Sequence, residues 1–453
     1  MNIVLLILLC AAEVYFAVLS VKRHTDKKKW RTERLICNAG QLGVFIVMLL
    51  APSIDMSFRF KGLFILLLLR IAVAFIAWLI VKNKEPKPKR TSAKVWSAVL
   101  SVVLIFCSLV PSFLFASYSG LPVTGEYSVA SAKAILTDES RTEEFETDGS
   151  KREVPVYFYY PGNASDGEKF PLVLFSHGAF GYCDSNYSTY EELASNGYVV
   201  ISTEHPYHSL FTEDTSGKII TVSPEFMNGI AIVNADGTSE KTIFDLSSKW
   251  LKLRCDDINF VLDSVKSVPG ELPEYWHTDE EENILSALSM ADTEKIGVMG
   301  HSLGGAAAVS VGRTRSDISA VIDLDGTMLS EITGVEKEIN IVRTEPYPVP
   351  LLAVDNDEHH FDSVKLKESG VPYVNNIVCD NAVCCYRTYF AGTGHMNFTD
   401  LPMFSLPLAK MLGTGSVDAE KCMMTVNKMT REFFDRYLKG EGEFGVQECT
   451  EVS

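Results

Sequence analysis

Four long apolar stretches in the first quarter of the 453-residue chain constrain its fold most strongly. A helix needs ~20 predominantly apolar residues to cross the hydrocarbon core of a bilayer, and each stretch comes close to that length. The first one lacks the basic start and the small-residue cleavage site that mark a signal peptide. The sequence therefore predicts an all-α transmembrane domain of four helices over residues 1–120, with spans at about 3–20, 36–53, 62–81 and 95–117.

The loops between the apolar stretches predict their orientation. Residues 21–34 and 81–94 are strongly basic, whereas the intervening loop, 51–62, carries only Arg59 and Lys61 as basic residues. Because basic loops remain in the cytoplasm, the N-terminus and everything after the fourth span are expected outside. The sequence thus predicts a multi-pass cell membrane protein with an extracytoplasmic catalytic domain.

Glu13 and Arg70 place charges inside the first and third predicted spans. An unpaired charge at the centre of a bilayer costs about 3 kcal/mol or more. Both spans run in the same direction and the two residues lie at similar depth, so we hypothesise an ion pair between them. The alternative is a neutral Glu13 and an Arg70 side chain that reaches toward the membrane surface.

The charge and the pattern of the chain both change after residue 120. Of the 41 basic and 58 acidic residues, 16 basic and 5 acidic ones lie in the first 120, which leaves 25 and 53 for the remainder. This acidic balance disfavours nucleic acid as a partner, because phosphate backbones attract basic surfaces. Short apolar runs alternate there with helical patterns, which is typical of a mostly parallel α/β sheet. We expect one catalytic domain over 121–453, with strands near 154–160, 171–178, 198–206, 295–300, 318–326, 349–357 and 386–395.

The segment GVMGHSLGGA (297–306) contains a Gly-x-Ser-x-Gly motif centred on Ser302. The motif is weak by itself, but an apolar strand precedes it and small residues open a helix after it. A strand, a tight turn with a serine and a helix form the nucleophile elbow of the α/β-hydrolase fold, where glycines relieve crowding around the serine. The sequence therefore predicts an α/β-hydrolase fold with Ser302 as the nucleophile.

A serine hydroxyl becomes a good nucleophile only when a base takes its proton and a third group orients that base. In α/β-hydrolases the serine is followed along the chain by the acid and then by the histidine. His395, in a glycine-rich turn after the last predicted strand, is the predicted base. His359 and His360 lie in the acidic segment 355–362, which is interpreted as a solvated turn, with a metal site as the lesser alternative.

Two aspartates are candidates for the acid. Asp325 follows the strand after the elbow, and Asp357 follows the next strand; the residues alone do not separate them. The oxyanion hole requires backbone N–H groups directed at the developing charge, and we expect them at Leu303 and at Ala179. This chemistry requires neither a metal nor an organic cofactor.

Several segments between residues 121 and 440 share motifs with one known family. They include VYFYYPG (156–162), PLVLFSHGAFG (171–181), GHSLGGA (300–306), LDGTM (324–328) and GHMNFTD (394–400). In these motifs the chain resembles the platelet-activating factor acetylhydrolases of the plasma and intracellular type II kinds. The resemblance implies Asp325 as the acid. It also implies a calcium-independent serine esterase that removes short or oxidised sn-2 acyl chains from phospholipids.

The expected function is therefore that of a membrane-anchored serine ester hydrolase whose partners are the bilayer and a lipid or small ester substrate. One alternative is a broad carboxylesterase or dienelactone-hydrolase-like enzyme that acts on small soluble esters. A second alternative, from a different class, is a non-catalytic membrane sensor that retains the fold for binding.

Overall fold

The computed structural model describes residues 1–268 and 270–452, and the chain divides into two compact units. Met1–Tyr118 and Phe404–Pro407 form the first unit, and Ser119–Met403 with Leu408–Ser453 form the second. The division lies close to the predicted boundary at residue 120. The short segment Phe404–Pro407 differs from that expectation, because it packs with the first unit.

The first unit is all-α. All four of its long helices are long and apolar enough to cross a bilayer. The second helix begins at Lys27 rather than at 36, because the Asp26 side chain accepts a hydrogen bond from the Lys29 N–H and caps the new start. The helices are α1 (Asn2–Lys22), α2 (Lys27–Leu50), α3 (Phe58–Val81) and α4 (Thr91–Leu114).

A buried charge cluster joins three of these helices. Glu13 on α1 is fully buried and forms the predicted ion pair with Arg70 on α3. Arg34 on α2 also binds Glu13, with a nitrogen–oxygen distance of 2.5 Å, and Arg70 donates a further hydrogen bond to Asn38 at 3.1 Å. The arginine on α2 was not anticipated, because the predicted second span began after it.

The second unit is built on a ten-stranded sheet. The spatial order of its strands is β14-β13-β12-β9-β8-β3-β4-β2-β1-β7. The first seven strands of this order, β14 to β4, run parallel to one another. The remaining three, β2, β1 and β7, each pair antiparallel with the strand before them in this order. This arrangement confirms the predicted α/β-hydrolase fold class. The strands are β1 (Val129–Thr142), β2 (Lys151–Pro161), β3 (Phe170–Ser176), β4 (Val199–Thr203), β5 (Phe211–Glu213), β6 (Ile219–Thr221), β7 (Trp276–His277), β8 (Ala291–His301), β9 (Ile318–Leu324), β10 (Ile332–Glu336), β11 (Ile339–Val342), β12 (Leu351–Asp355), β13 (Cys385–Phe390) and β14 (Cys449–Thr450).

Two apolar cores sandwich the central strands, because every parallel strand has to be covered on both faces. One core contains side chains of α7 and α9, and the other contains side chains of α5 and α14. The helices that follow Tyr118 in the chain are α5 (Tyr187–Ser195), α6 (Pro224–Val233), α7 (Glu240–Ser267), α8 (Glu281–Met290), α9 (Leu303–Thr314), α10 (Asp357–Glu368), α11 (Val374–Asn381), α12 (Leu401–Phe404), α13 (Leu406–Leu412) and α14 (Ala419–Phe434).

The loops that carry the candidate site residues all lie at the carboxyl edge of the parallel strands. In an open α/β sheet, ligands bind outside this edge. The loop after β3 carries Ala179, the turn after β8 carries Ser302, and the bend after β9 carries Asp325. The loops after β12 and β13 lead to His359 and His395. The topology therefore gathers residues that are far apart in the sequence at one end of the sheet.

Candidate active site

The turn that carries Ser302 links β8 to α9 and holds this residue at a φ of 56°. Left-handed backbone is strained for a residue with a side chain, and such strain is typical of functional sites. A Cβ atom at Gly304 would lie 1.9 Å from the Ser176 carbonyl oxygen, and one at Gly300 would lie 2.3 Å from the Gly304 backbone. The two glycines therefore allow the turn to press against β3, which leaves Ser302 partly exposed at the sheet edge.

Asp325 lies beside this turn. The Ser302 N–H donates to the Leu324 carbonyl oxygen at 2.9 Å, which ties the elbow to the end of β9. Asp325 has a φ of 57° and is only 1% exposed. Its Oδ2 accepts a hydrogen bond from His395 Nδ1 at 2.6 Å. The structure thus brings the predicted acid and base together next to the predicted nucleophile.

Four donors saturate the Asp325 carboxylate. Besides His395, the Asn356 backbone N–H donates to Oδ1 at 2.8 Å, the Asn356 side-chain amide donates to Oδ2 at 2.6 Å, and His359 Nδ1 donates to Oδ1 at 2.9 Å. Burial alone would raise the pKa of Asp325, but the hydrogen bonds and charges of His359 and His395 hold this pKa well below its usual range. The acid is therefore ionised at neutral pH.

The loop that carries His395 is held from two sides. The Asn397 side-chain oxygen accepts hydrogen bonds from the Gly394 N–H at 2.9 Å and from the Gly415 N–H at 2.6 Å. The His301 ring donates from Nε2 to the His395 carbonyl oxygen at 3.0 Å. Burial, followed by the charge of His395, lowers the pKa of His301 to about 3, so His301 is neutral and acts as a fixed donor.

Within the described part of the chain, the Ser302 hydroxyl makes no hydrogen bond. The His395 side chain is 31% exposed, and Ser302 is partly exposed as well. In substrate-free hydrolases the serine–histidine contact is often long, and it tightens in the complex with substrate. The open arrangement is therefore compatible with a proton transfer that begins when an ester enters.

The acidic segment 355–362 is not the solvated turn that its composition predicted. Asn356 caps α10 by accepting a hydrogen bond from the His359 N–H at 2.9 Å, so the segment folds as the start of a helix. Asp357, the alternative acid, accepts a hydrogen bond from the Gly392 N–H at 2.7 Å and thereby supports the loop before His395. The His360 ring stacks on Tyr389 at a centroid distance of 3.9 Å. His359 alone of the two histidines reaches Asp325.

One group of side chains among the described residues has the composition of a metal site. The potential ligand atoms of Asp325, His359 and His395 lie within 4.8 Å of one another. The hydrogen bonds between them account for the positions of all three side chains. We therefore assign no metal to this group.

The loop after β3 presents the predicted oxyanion donor at Ala179. The Gly178 carbonyl oxygen accepts three hydrogen bonds, from His177 Nδ1 at 2.7 Å, from the Gly181 N–H at 3.1 Å and from Arg254 Nη2 at 3.2 Å. A trans peptide is planar, with its carbonyl and N–H pointing in opposite directions. The hydrogen bonds that hold the Gly178 carbonyl oxygen toward Arg254 therefore point the Ala179 N–H away from Arg254.

The second predicted donor, the Leu303 N–H, is the first N–H of α9. The first N–H groups of a helix have no partner within the helix, and the positive end of the helix dipole lies at the same place. This N–H is thus available to an oxyanion formed at Ser302.

A second serine–histidine–aspartate series lies beneath the loop. Ser176 Oγ is 2.9 Å from His205 Nε2, and His205 Nδ1 is 3.0 Å from Asp257 Oδ2. All three side chains are fully buried, and burial is the largest cause that lowers the pKa of His205 to about 3. No substrate can reach this series, so it is a structural network. His177 belongs to the same layer, since its Nε2 lies 3.2 Å from Glu204 Oε2.

Comparison with known proteins places the second unit in a defined family. Residues 145–451 match the family described as "Platelet-activating factor acetylhydrolase, isoform II". Platelet-activating factor acetylhydrolase from Bos taurus is 23% identical over 290 residues, which cover 61% of this chain and 59% of the relative. A probable 1-alkyl-2-acetylglycerophosphocholine esterase from Arthroderma benhamiae is 27% identical over 169 residues, covering 37% of this chain and 34% of that protein.

Among solved structures, a ferulic acid esterase from Streptomyces cinnamoneus shares the fold. The TM-score is 0.52 at 20% identity, and the match covers 71% of this chain and 93% of that one. The chain spans about three fifths of the length of the first curated relatives that it matches. The matched region contains the turn, the bend and the loop that carry Ser302, Asp325 and His395.

Proposed function

Because the chain belongs to the platelet-activating factor acetylhydrolase family, we propose that it is a serine esterase with Ser302 as nucleophile, His395 as general base and Asp325 as the orienting acid. The observation that carries the proposal is the hydrogen bond of 2.6 Å between His395 Nδ1 and Asp325 Oδ2, formed directly beside a left-handed serine turn. A buried carboxylate in this position fixes the ring tautomer that leaves Nε2 free to accept a proton.

Each step of the proposed reaction uses a group already described. His395 Nε2 takes the proton of the Ser302 hydroxyl as its oxygen attacks the ester carbonyl carbon. The Leu303 and Ala179 N–H groups stabilise the negative oxygen of the tetrahedral intermediate. His395 then gives the proton to the departing alcohol oxygen, and an acyl-serine remains. A water molecule, deprotonated by His395, then attacks the acyl carbon. The bond between this carbon and Ser302 Oγ breaks, His395 returns the proton to Oγ, and the carboxylic acid leaves.

We propose a phospholipid with a short or oxidised sn-2 acyl chain as the substrate. Support comes from the family and from the surface next to the oxyanion loop. The Leu210 N–H donates to the Gly181 carbonyl oxygen, so the exposed apolar side chains of Leu210 and Phe211 lie beside this loop. The Phe211 ring also stacks on Tyr182. Amphiphilic esters favour such an apolar rim, whereas small soluble esters do not require it.

We further propose that the four apolar helices anchor the esterase in a membrane with its catalytic unit on the extracytoplasmic side. Their length and composition and the two basic loops support this arrangement. In intact cells that express the chain, a membrane-impermeant fluorophosphonate is expected to label Ser302 without permeabilisation. Labelling only after permeabilisation would place the catalytic unit in the cytoplasm.

The substrate proposal is tested with the full chain in detergent, beside Ser302→Ala and the exposed control Ser289→Ala. Each protein is given phosphatidylcholines with an sn-2 acetyl or a long sn-2 acyl group, with a chelator present. We expect wild type and Ser289→Ala to release acetate from the short-chain lipid only, and Ser302→Ala to release none. Cleavage of simple soluble esters without turnover of either lipid would favour the broad carboxylesterase instead.

A further inference from the structure

The first turn of α10 wraps around the buried side chain of Asp325. Three of the four hydrogen bonds that this carboxylate accepts come from Asn356 and His359, and the fourth comes from His395. Each oxygen of Asp325 carries one imidazole, His359 on Oδ1 and His395 on Oδ2. The two rings lie 5.9 Å apart between centroids at an interplanar angle of 61°. A Ser-His-Asp mechanism uses only one of these rings.

The surroundings of His359 favour its charged form. The hydrogen bond to Asp325 is the largest cause that raises the pKa of His359 to about 9, partial burial opposes it, and the charges of Asp325, Asp355 and Glu358 add to it. The ionisable groups that face this ring are Asp323 and Asp325 at the end of β9, Asp355 on β12, Glu358 on its own helix, and the rings of His301 and His395. At neutral pH, Asp325 and His359 are therefore an anion and a cation in direct contact.

We propose that His359 is a positioning residue of the hydrolytic centre, which acts through Asp325 and sets the pH range over which His395 works. The proposal rests on the proposed Ser302–His395–Asp325 esterase. The His359 imidazolium binds Oδ1 of Asp325 and neutralises its charge. His395 therefore binds a carboxylate that already forms an ion pair with His359. A second positive ring next to the first is disfavoured, because like charges at this distance repel. The negative charge of Asp325 is thus shared between two rings, and the part of it that acts on His395 depends on His359.

The same contact predicts a change at alkaline pH. When His359 loses its proton, the full charge of Asp325 acts on His395 alone and stabilises the imidazolium that forms during proton transfer. The rate of acyl transfer therefore rises as the pH passes through about 9. A histidine with a merely structural role would give no such step.

The test is the pH dependence of kcat/KM on p-nitrophenyl acetate for the full chain in detergent, from pH 5 to pH 10. His359→Gln and His359→Phe are compared with wild type and with His360→Gln, whose ring stacks on Tyr389 and serves as the matched control. We expect the acid limb of both His359 variants to move to higher pH by about one unit, and the alkaline step to disappear. The His360→Gln profile is expected to follow that of wild type.

Fluorophosphonate titration counts the folded sites, so each rate is given per active site even if a variant folds poorly. Superimposable profiles of His359→Gln and wild type, with the alkaline step retained, would overturn the role of His359 while the esterase proposal stands. A wild-type chain without Ser302-dependent hydrolysis would overturn both. If neither His359 variant folds, the wild-type profile decides, because a profile without a step near pH 9 would contradict the proposal.

Discussion

Arg254 holds the loop after β3 from its buried side. Because this loop carries the proposed oxyanion donor Ala179, removal of Arg254 is expected to impair the chemical step selectively. Its guanidinium is fully buried and donates to the carbonyl oxygens of His177 and Gly178. Burial is the largest cause that lowers the pKa of Arg254 to about 9, so the charge is retained at neutral pH. In Arg254→Met, two hydrogen bonds to the loop are lost, and the peptide that orients the Ala179 N–H gains freedom to rotate.

The size of the effect follows from the donors that remain. Loss of a whole oxyanion donor lowers kcat by about 10²–10³-fold. The Gly178 carbonyl keeps two of its three hydrogen bonds in the variant, from His177 Nδ1 and the Gly181 N–H, so the loss should be partial. We expect kcat to fall by about 10–10²-fold, which is about 1.4–2.7 kcal/mol of transition-state stabilisation, with little change in KM.

Steady-state kinetics of Arg254→Met and Arg254→Lys on a short-chain ester would measure this effect, with active sites counted by fluorophosphonate. The affinity of a trifluoromethyl ketone, which forms an oxyanion on Ser302, should fall in parallel with kcat. Because Lys restores a charge but not the planar two-donor fork, we expect it to rescue only part of the loss. A folded Arg254→Met with wild-type kcat, or with a raised KM alone, would refute the role of the held peptide.

Four other substitutions distinguish the roles of the charged side chains. Asp325→Asn should lower kcat by about 10⁴-fold because the His395 tautomer is no longer fixed, whereas Asp357→Asn should retain most activity. Equal losses in the two variants would argue against Asp325 as the acid. Glu13→Gln leaves two arginines buried without a counter-charge, so the first unit should lose about 3–5 kcal/mol of stability. The loss would be measured as a lower midpoint of unfolding in detergent. An unchanged midpoint would exclude the ion-pair role. The pKa of His359 rises from its usual 6.5 to about 9 on folding, so its contribution to stability is complete below pH 6.5 and disappears as the pH rises through 9. The Tm deficit of His359→Gln should accordingly be present at pH 6 and absent at pH 10, and a deficit independent of pH would contradict this linkage.

The elbow could be predicted from sequence because all of its signals are local. An apolar strand, a glycine on each side of Ser302 and a run of small residues are contiguous in 297–306, and each has a steric reason that the structure shows directly. The strands of the parallel core were also predictable, because strands buried on both faces are read as short apolar runs.

The neighbourhood of Asp325 could be predicted only in part, since its donors come from two separate segments, the start of α10 and the loop after β13. The charges of the segment 355–362 predict a solvated turn, although Asn356 followed by two acidic residues is a common signal for the start of a helix. That signal predicts α10. It does not predict that the first turn of α10 brings His359 to Asp325. That contact depends on the lateral order of β9, β12 and β13, which no spacing in the sequence reveals.

Arg34 and the buried Ser176–His205–Asp257 series show the same limit. The start of α2 at Lys27 follows from the capping residue Asp26, and recognising that cap would have placed Arg34 on a helix facing Glu13. The buried series, by contrast, joins β3, the loop after β4 and α7. Only the packing of these three elements shows that it is sealed from substrate.

Peptide mass spectrometry after fluorophosphonate treatment shows directly whether Ser302 forms the covalent acyl intermediate of the proposed mechanism. In the full chain, the peptide that spans 297–306 should gain the mass of one adduct on Ser302, and ester hydrolysis should be lost in proportion. Ser302→Ala should show no adduct, and His395→Gln should react far more slowly. Complete inhibition with the adduct on another residue, or an unlabelled Ser302 in an active protein, would contradict the proposed mechanism.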